Sequence, residues 1–526
     1  MNTNRRLDRA ATLLGAVVPI GFAIVFVIWP LTAILARGFL ADGATFDPLV
    51  DVWSSRRSRS VIEFTFVQAL WSTLVTFAIG LPAAWSVSRK WFGRSFVRVV
   101  TGASFVLPTV VVGLAWRSIA DRGLVAIVLA HVSFNVAIVV QILGTAWAEL
   151  DAVPEEAART LGSSPMRAWR SVVAPRLAPP AIGAAVLTFL FAFTSYGVVV
   201  VLGTARQGTI ETEVARAARG LDFERAGALA VLQLLIVMVT LSIAGWFTRD
   251  FATSASGAGR PHRRVWPATL AALPAVGIVL VPISTLARRV AAPGGSWSLE
   301  GLRILAADDL RIEGSPLDSI ATSVRFGLLA AAVATSVGAL VVATSIRSRS
   351  RGGGSWSRVL DATLMVPLGV SAVTLGYGYL ITFDEAPLRL RDRWWIVPLA
   401  HAAVALPFVV RVLMPARRAL DRRVMEVART LGASGWALAR TVTWPMLAPA
   451  IGVAVGFAAA ISIGEFGATS MLARRGFPTA PFAIGQLAGT PGDRPRLASD
   501  SLALALAIVA LAIMGVAQRS GRRRVA

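Results

Sequence analysis

Apolar residues fall in twelve runs along this chain, each near the ~20 residues that a bilayer core requires. The runs centre near Phe22, Leu74, Leu107, Val136, Phe191, Gln233, Val276, Ala332, Val370, Val404, Gly456 and Ile508. The first, from about Ala10 to Ala36, is too long for the apolar core of a signal peptide and predicts an uncleaved helix. Six runs precede and six follow a Gly/Ser/Ala-rich, Arg-bearing stretch, which reads as a linker. The pattern therefore predicts an all-α integral membrane protein of about twelve transmembrane helices. It divides into a first half at 1–250, a cytoplasmic linker at 251–265 and a second half at 266–526.

Composition agrees with that class. Of 526 residues 55% are hydrophobic and only 15% charged, and mean hydropathy is +0.67, far too apolar for a soluble chain of this size. The formal charge of +23 finds its explanation in topology. With both termini cytoplasmic, the loops assigned inside hold the larger share of arginine. Arg56, Arg57 and Arg59 lie on the side the rule disfavours. A lipid bilayer is the expected partner, and nucleic acid is not. The absence of cysteine excludes disulfides and thiolate chemistry. His131, His262 and His401 have no metal-ligand spacing, so no metal, cofactor or catalytic group is expected. Lys90, the only lysine, is followed by Trp91. A phosphate-binding loop, which needs Lys-Ser or Lys-Thr after its glycines, cannot form here.

One polar segment occurs twice. Glu156-Ala-Ala-Arg-Thr-Leu-Gly162, followed by Pro175, returns 270 residues later as Glu426-Val-Ala-Arg-Thr-Leu-Gly432 and Pro445. His131 and His401, Gly197 and Gly467, and Thr209 and Thr479 match at the same offset. An even number of helices per half makes the repeats parallel, related by an axis along the membrane normal. Each loop, within 148–180 and 418–449, predicts a helix of roughly two turns. Pro154 and Glu155 suit the start of the first, Asp421 caps the second, and Gly162 and Gly432 stop them in left-handed geometry. A further amphipathic run then closes at Pro175. Ala157, Ala158 and Ala428 leave a flat face, and Glu156 and Glu426 offer acceptors to a partner's donors. Two such loops predict two docking points.

The spacing of Glu-Ala-Ala, glycine and a closing proline resembles the EAA signature of ATP-binding-cassette importer permeases, with Val427 a departure. The resemblance implies that Glu156, Ala157, Ala158, Arg159, Gly162 and Pro175 form one coupling loop. Glu426, Ala428, Arg429, Gly432 and Pro445 form the other. It implies two cytoplasmic ATP-binding subunits, an extracytoplasmic solute-binding protein and a bacterial plasma membrane. Duplicated permeases of this size resemble those of the thiamine and ferric-iron importers. Thr209-Ile-Glu-Thr-Glu, Leu221 to Gly227 and Ser462 to Gly467 are most similar to the thiamine branch, so thiamine is placed ahead of iron, with phosphonates and polyamines compatible.

Candidate pathway residues are fewer. Glu465 is placed inside a span, where buried charge is costly and often functional; its duplicate is Ser195, beside Tyr196. The carboxylate could draw in a cation or pair with Arg474 or Arg475. His131 and His401 are expected to make equivalent structural hydrogen bonds. The alternative function is a secondary transporter with six-plus-six repeats, which would need more buried ionisable relays. A membrane enzyme would need clustered acids or nucleophiles, and none is seen.

Overall fold

The computed structural model describes residues 17–39, 47–248, 265–349, 370–384, 389–390, 393–433, 435–473 and 476–522. These contain helices and no extended strand. In chain order the principal helices begin with α1 (Val17–Phe39), α2 (Asp47–Ser54), α3 (Arg56–Ser88), α4 (Arg94–Ser104) and α5 (Thr109–Arg117). Then come α6 (Leu124–Glu149), α7 (Val153–Thr160), α8 (Pro165–Phe193), α9 (Gly197–Leu202), α10 (Ile210–Arg219) and α11 (Phe223–Thr248). The later residues form α12 (Val265–Ala291), α13 (Pro316–Arg349), α14 (Ala372–Phe383), α15 (Ile396–Arg418) and α16 (Arg422–Thr430). The last four are α17 (Ala439–Ile463), α18 (Gly467–Leu472), α19 (Ala480–Gly489) and α20 (Asp493–Arg522).

Ten of these helices are long and apolar enough to cross a membrane, and a bent pair raises the count to eleven. That pair corrects the expected third span. Instead of one straight helix centred on Leu107, α4 and α5 meet at 101°. Pro108 caps the start of α5, where a missing N–H costs nothing. The expected ninth span falls partly outside the described residues, and its described portion is the twelve-residue α14. The linker at 251–265 lies outside them as well, apart from its last residue.

Two compact units emerge, and they interleave along the chain. One comprises 1–37, 306–486 and 505–526; the other comprises 38–305 and 487–504. Each unit therefore takes in a first helix from the other half of the sequence. In the first unit, Phe26 of α1 lies 6.2 Å from the ring of Tyr379 and 6.0 Å from that of Phe383. The Tyr379 hydroxyl donates to the Phe26 carbonyl at 2.8 Å, a carbonyl that Pro30, four residues on, has no N–H to meet. In the second unit, Ala272, Ala275 and Val279 of α12 pack against Ala83, Val87, Val97, Val136 and Val140.

Within the units the duplication is visible contact by contact. A Cβ on Gly80 would lie 2.8 Å from a methyl of Val139, and one on Gly338 2.6 Å from a methyl of Val409. Val139 and Val409 are 270 residues apart. Gly113 lies against Val198 and Val201, and Gly376 against their counterparts Ala468 and Met471. Small residues let helix backbones approach this closely where lipid supplies no hydrophobic drive between helices.

The broken helices are anchored in the same repeated manner. The Thr65 hydroxyl accepts from the Ile210 amide at 3.0 Å, opening α10. The Ser323 hydroxyl accepts from the Ala480 amide at 2.8 Å, opening α19. Gln68, buried beside Thr65, donates to the Ala192 carbonyl at 2.8 Å as α8 ends. Replacing Thr65 by its near-isostere valine strands the Ile210 N–H in a buried site. The expected loss is about 1–3 kcal/mol, read as a lower midpoint in thermal unfolding of the detergent-purified protein. Thr65→Ser, which keeps the acceptor, should retain most of the stability.

Candidate functional site

Both repeated loops form the expected short helix, α7 and α16. Pro154 stands in the first turn of α7, and the Asp421 carboxylate accepts from the Arg423 amide at 2.9 Å to start α16. Gly162 and Gly432 each stop their helix at φ +87°, a conformation that favours glycine. The stops are the same down to their bonds. Gly162 and Ser163 donate to the carbonyls of Arg159 and Ala158 at 3.1 and 3.0 Å; Gly432 and Ala433 donate to those of Arg429 and Ala428 at 3.0 and 2.9 Å.

Beyond each glycine the chain departs from expectation. Pro175 and Pro445 do not end the second run. The chain continues through each proline into a full span, α8 and α17. A π-turn, Trp169–Val173 in one copy and Ala439–Thr443 in the other, ends two residues before each proline. Ile24–Ile28 stands in the same relation to Pro30. The wider turn shifts the carbonyl that the ring would otherwise strike. Consequently Phe191, expected mid-span, lies near the end of α8.

Glu156, Ala157, Arg159, Gly162 and Pro175 are exposed and Ala158 is half-buried. Glu426, Arg429, Gly432 and Pro445 are exposed and Ala428 half-buried. Sequence reasoning missed the most telling residue of each loop. Leu161 is 88% exposed and Leu431, its counterpart, 82%, standing just before the left-handed glycine. One bare leucine needs no explanation. Here the same leucine is bare on the same helix end in both copies. Its signal, the shared Thr-Leu-Gly, was in plain view.

The pathway candidates fall in the break after α8 and α17. Ser195 and Tyr196 are buried there, and the Arg219 guanidinium donates to the Tyr196 hydroxyl. Glu465 belongs to the other compact unit. It lies in the unwound turn between α17 and α18, not inside a helix, and its carboxylate accepts from the Ala468 amide at 3.1 Å. The glutamate thus caps α18. Arg474 and Arg475, its other expected partners, are outside the described residues. His131 and His401 are both buried, and each bonds a hydroxyl, but the partners are not equivalent. His131 Nδ1 meets Ser72 at 3.1 Å, whereas His401 meets Ser462 at 2.8 Å and Thr469 at 2.9 Å. The counterpart of Thr469 is Val199, which has no hydroxyl.

Other buried carboxylates escaped the sequence reading. Glu211, Glu213 and Asp500 are all buried. Glu213 meets Arg57 at 2.9 Å, Arg216 at 2.8 Å and Arg225 at 3.0 Å. Arg57, an exception to the charge rule, thereby gains a counter-charge. No group of three or more metal-ligating side chains occurs among the described residues.

With this geometry established, likeness to known proteins is informative. Residues 76–253 match the family described as binding-protein-dependent transport system inner membrane component. The thiamine transport system permease protein ThiP of Brucella abortus is 26% identical over 94% of this chain and 93% of its own length. That of Escherichia coli K12 is 26% identical over 87% and 89%. A putative 2-aminoethylphosphonate transport system permease protein, PhnV of Salmonella typhimurium, is 30% identical over 39% of this chain and 73% of its own length. This chain belongs to the binding-protein-dependent transport permeases. It is a multi-pass membrane protein and a fused importer permease resembling the thiamine permeases. Permeases of this family are transport subunits that work with an ATPase and a solute-binding protein, and are not ATPases themselves.

Replacing Glu213 by glutamine removes the charge shared by three arginines. The expected cost is about 1–3 kcal/mol, below that of a fully buried pair because the arginines are a third to a half exposed. Thermal unfolding measures it, and Arg57→Gln alone should cost less.

Proposed function

We propose that this permease forms the translocation pathway for a small cationic solute, thiamine ahead of ferric iron. An extracytoplasmic binding protein delivers the solute, and two separate cytoplasmic ATPase subunits drive transport. Each ATPase docks on one repeated loop, and both termini are cytoplasmic. The halves at 1–250 and 266–526 act as pseudo-equivalent permease subunits joined by the linker. The observation that carries this reading is the pair of short helices with one left-handed stop and one bare leucine each. The thiamine assignment is supported by relatives that match along nearly the whole chain.

Mechanistically, ATP-driven closure of the ATPases would draw the two loops together. The π-turns carry α8 and α17 unbroken through Pro175 and Pro445, so displacement of the loops would pass along those helices. Alternating access is then a rocking of the halves. A secondary transporter, the alternative, would carry solute without any ATPase.

Two tests separate these readings. Burying a leucine contributes about 1.5–3 kcal/mol, so Leu161→Ser and Leu431→Ser should each weaken co-purification of the ATPase about tenfold or more. Together with Glu156→Arg and Glu426→Arg they should abolish ATP-dependent uptake; unchanged uptake sinks the docking assignment. Glu465→Gln keeps an acceptor for the Ala468 amide while removing the charge. Thiamine uptake by vesicles is expected to fall at least tenfold with stability retained. Unaltered uptake would leave Glu465 as a helix cap only.

A further inference from the structure

A second site lies in the unit that holds α7, at the opposite end of α6 from that loop. The 26 residues of α6 put about 39 Å between the two ends. There the last turns of α5 and α12, the end of α19 and the start of α20 line an open cavity of about 600 Å3. All its lining residues belong to that one unit. Four arginines line it, Arg117, Arg122, Arg289 and Arg496, against one acid, Asp500. Asp500 is buried and pairs with Arg289 at 2.8 Å. Arg117 donates through Nη1 to the Ala488 carbonyl at 3.1 Å. These contacts hold two guanidinium groups in place and leave three positive charges uncompensated within the cavity.

We propose that this cavity binds a phosphate-bearing anion. Guanidinium groups present planar, multiple N–H donors that match phosphate oxygens and remain charged. Converging four of them on a single carboxylate leaves a net repulsion, and a ligand with two or more negative charges relieves it. The volume is in the range of small-molecule sites and exceeds what a single carboxylate side chain would fill. The cavity sits at helix ends, the level of phospholipid headgroups, so the same phosphate chemistry can come from a free ester or from a lipid. The site does not depend on the coupling loops, and its failure would leave the proposed transport function untouched.

The test uses the full chain in neutral detergent with pyrophosphate as probe. Isothermal titration should show saturable binding that weakens at least tenfold in the Arg117→Gln/Arg496→Gln double variant. Asp500→Asn should tighten binding severalfold, because Arg289 is released toward the ligand. Thermal unfolding confirms that each variant is folded. Native mass spectrometry from nanodiscs containing phosphatidylglycerol then separates the sources. Retention of phosphatidylglycerol that pyrophosphate displaces assigns the site to a lipid headgroup; pyrophosphate binding without lipid retention assigns it to a soluble phosphate compound. The proposal is overturned if neither probe binds the wild type more tightly than the folded double variant. It is equally overturned if the arginine substitutions change only the affinity for the delivering protein.

Discussion

A backbone amide buried in hydrocarbon must find an acceptor, and this chain breaks its apolar helices in both halves. One hydroxyl on α3 and one on α13 answer that demand. Thr65 receives the first amide of α10, and Ser323 receives the first amide of α19. Around these bonds the rest is arranged. α10 and α19 can start where they do because a covering helix supplies the acceptor that their first amides lack. The bend at Pro108 and the turns before Pro30, Pro175 and Pro445 obey the same constraint. Each is placed where a missing N–H or a displaced carbonyl is tolerated or met.

The same constraint links loop to span. A proline placed directly in α-helical register would strike the preceding turn and loosen the joint between the repeated loop and the membrane helix. The π-turn keeps α8 and α17 continuous through their prolines, while α7 and α16 each end in the same Schellman turn before them. A surface that must transmit displacement needs such support. The bare leucines at its tip, fixed by glycines at the same φ, are what a partner would grip.

Much of this was legible in the residues. Hydropathy placed most spans, because runs of ~20 apolar residues have few other uses. The repeat, the glycine stops and the Asp421 cap could be read because each depends on local backbone chemistry. What stayed hidden depends on tertiary context. Averaging over a window conceals a 101° bend at Pro108. Proline reads as an ending unless the turn before it is seen to widen. Glu211, Glu213 and Asp500 looked like loop acids, since nothing local says that Arg57 or Arg289 will reach them. Leu161 and Leu431 passed as ordinary apolar residues, and the exchange of first helices between the compact units has no signature in sequence at all.

The central claim is that the two loops are equivalent docking points on one face of the membrane. The chain has no cysteine, so single cysteines at Leu161 and Leu431 report each loop cleanly. Oriented vesicles treated with a membrane-impermeant maleimide give the most direct measurement. The account requires both positions to react from the cytoplasmic side alone and to be shielded when the ATPase is bound. Reaction of the two positions from opposite sides would contradict it.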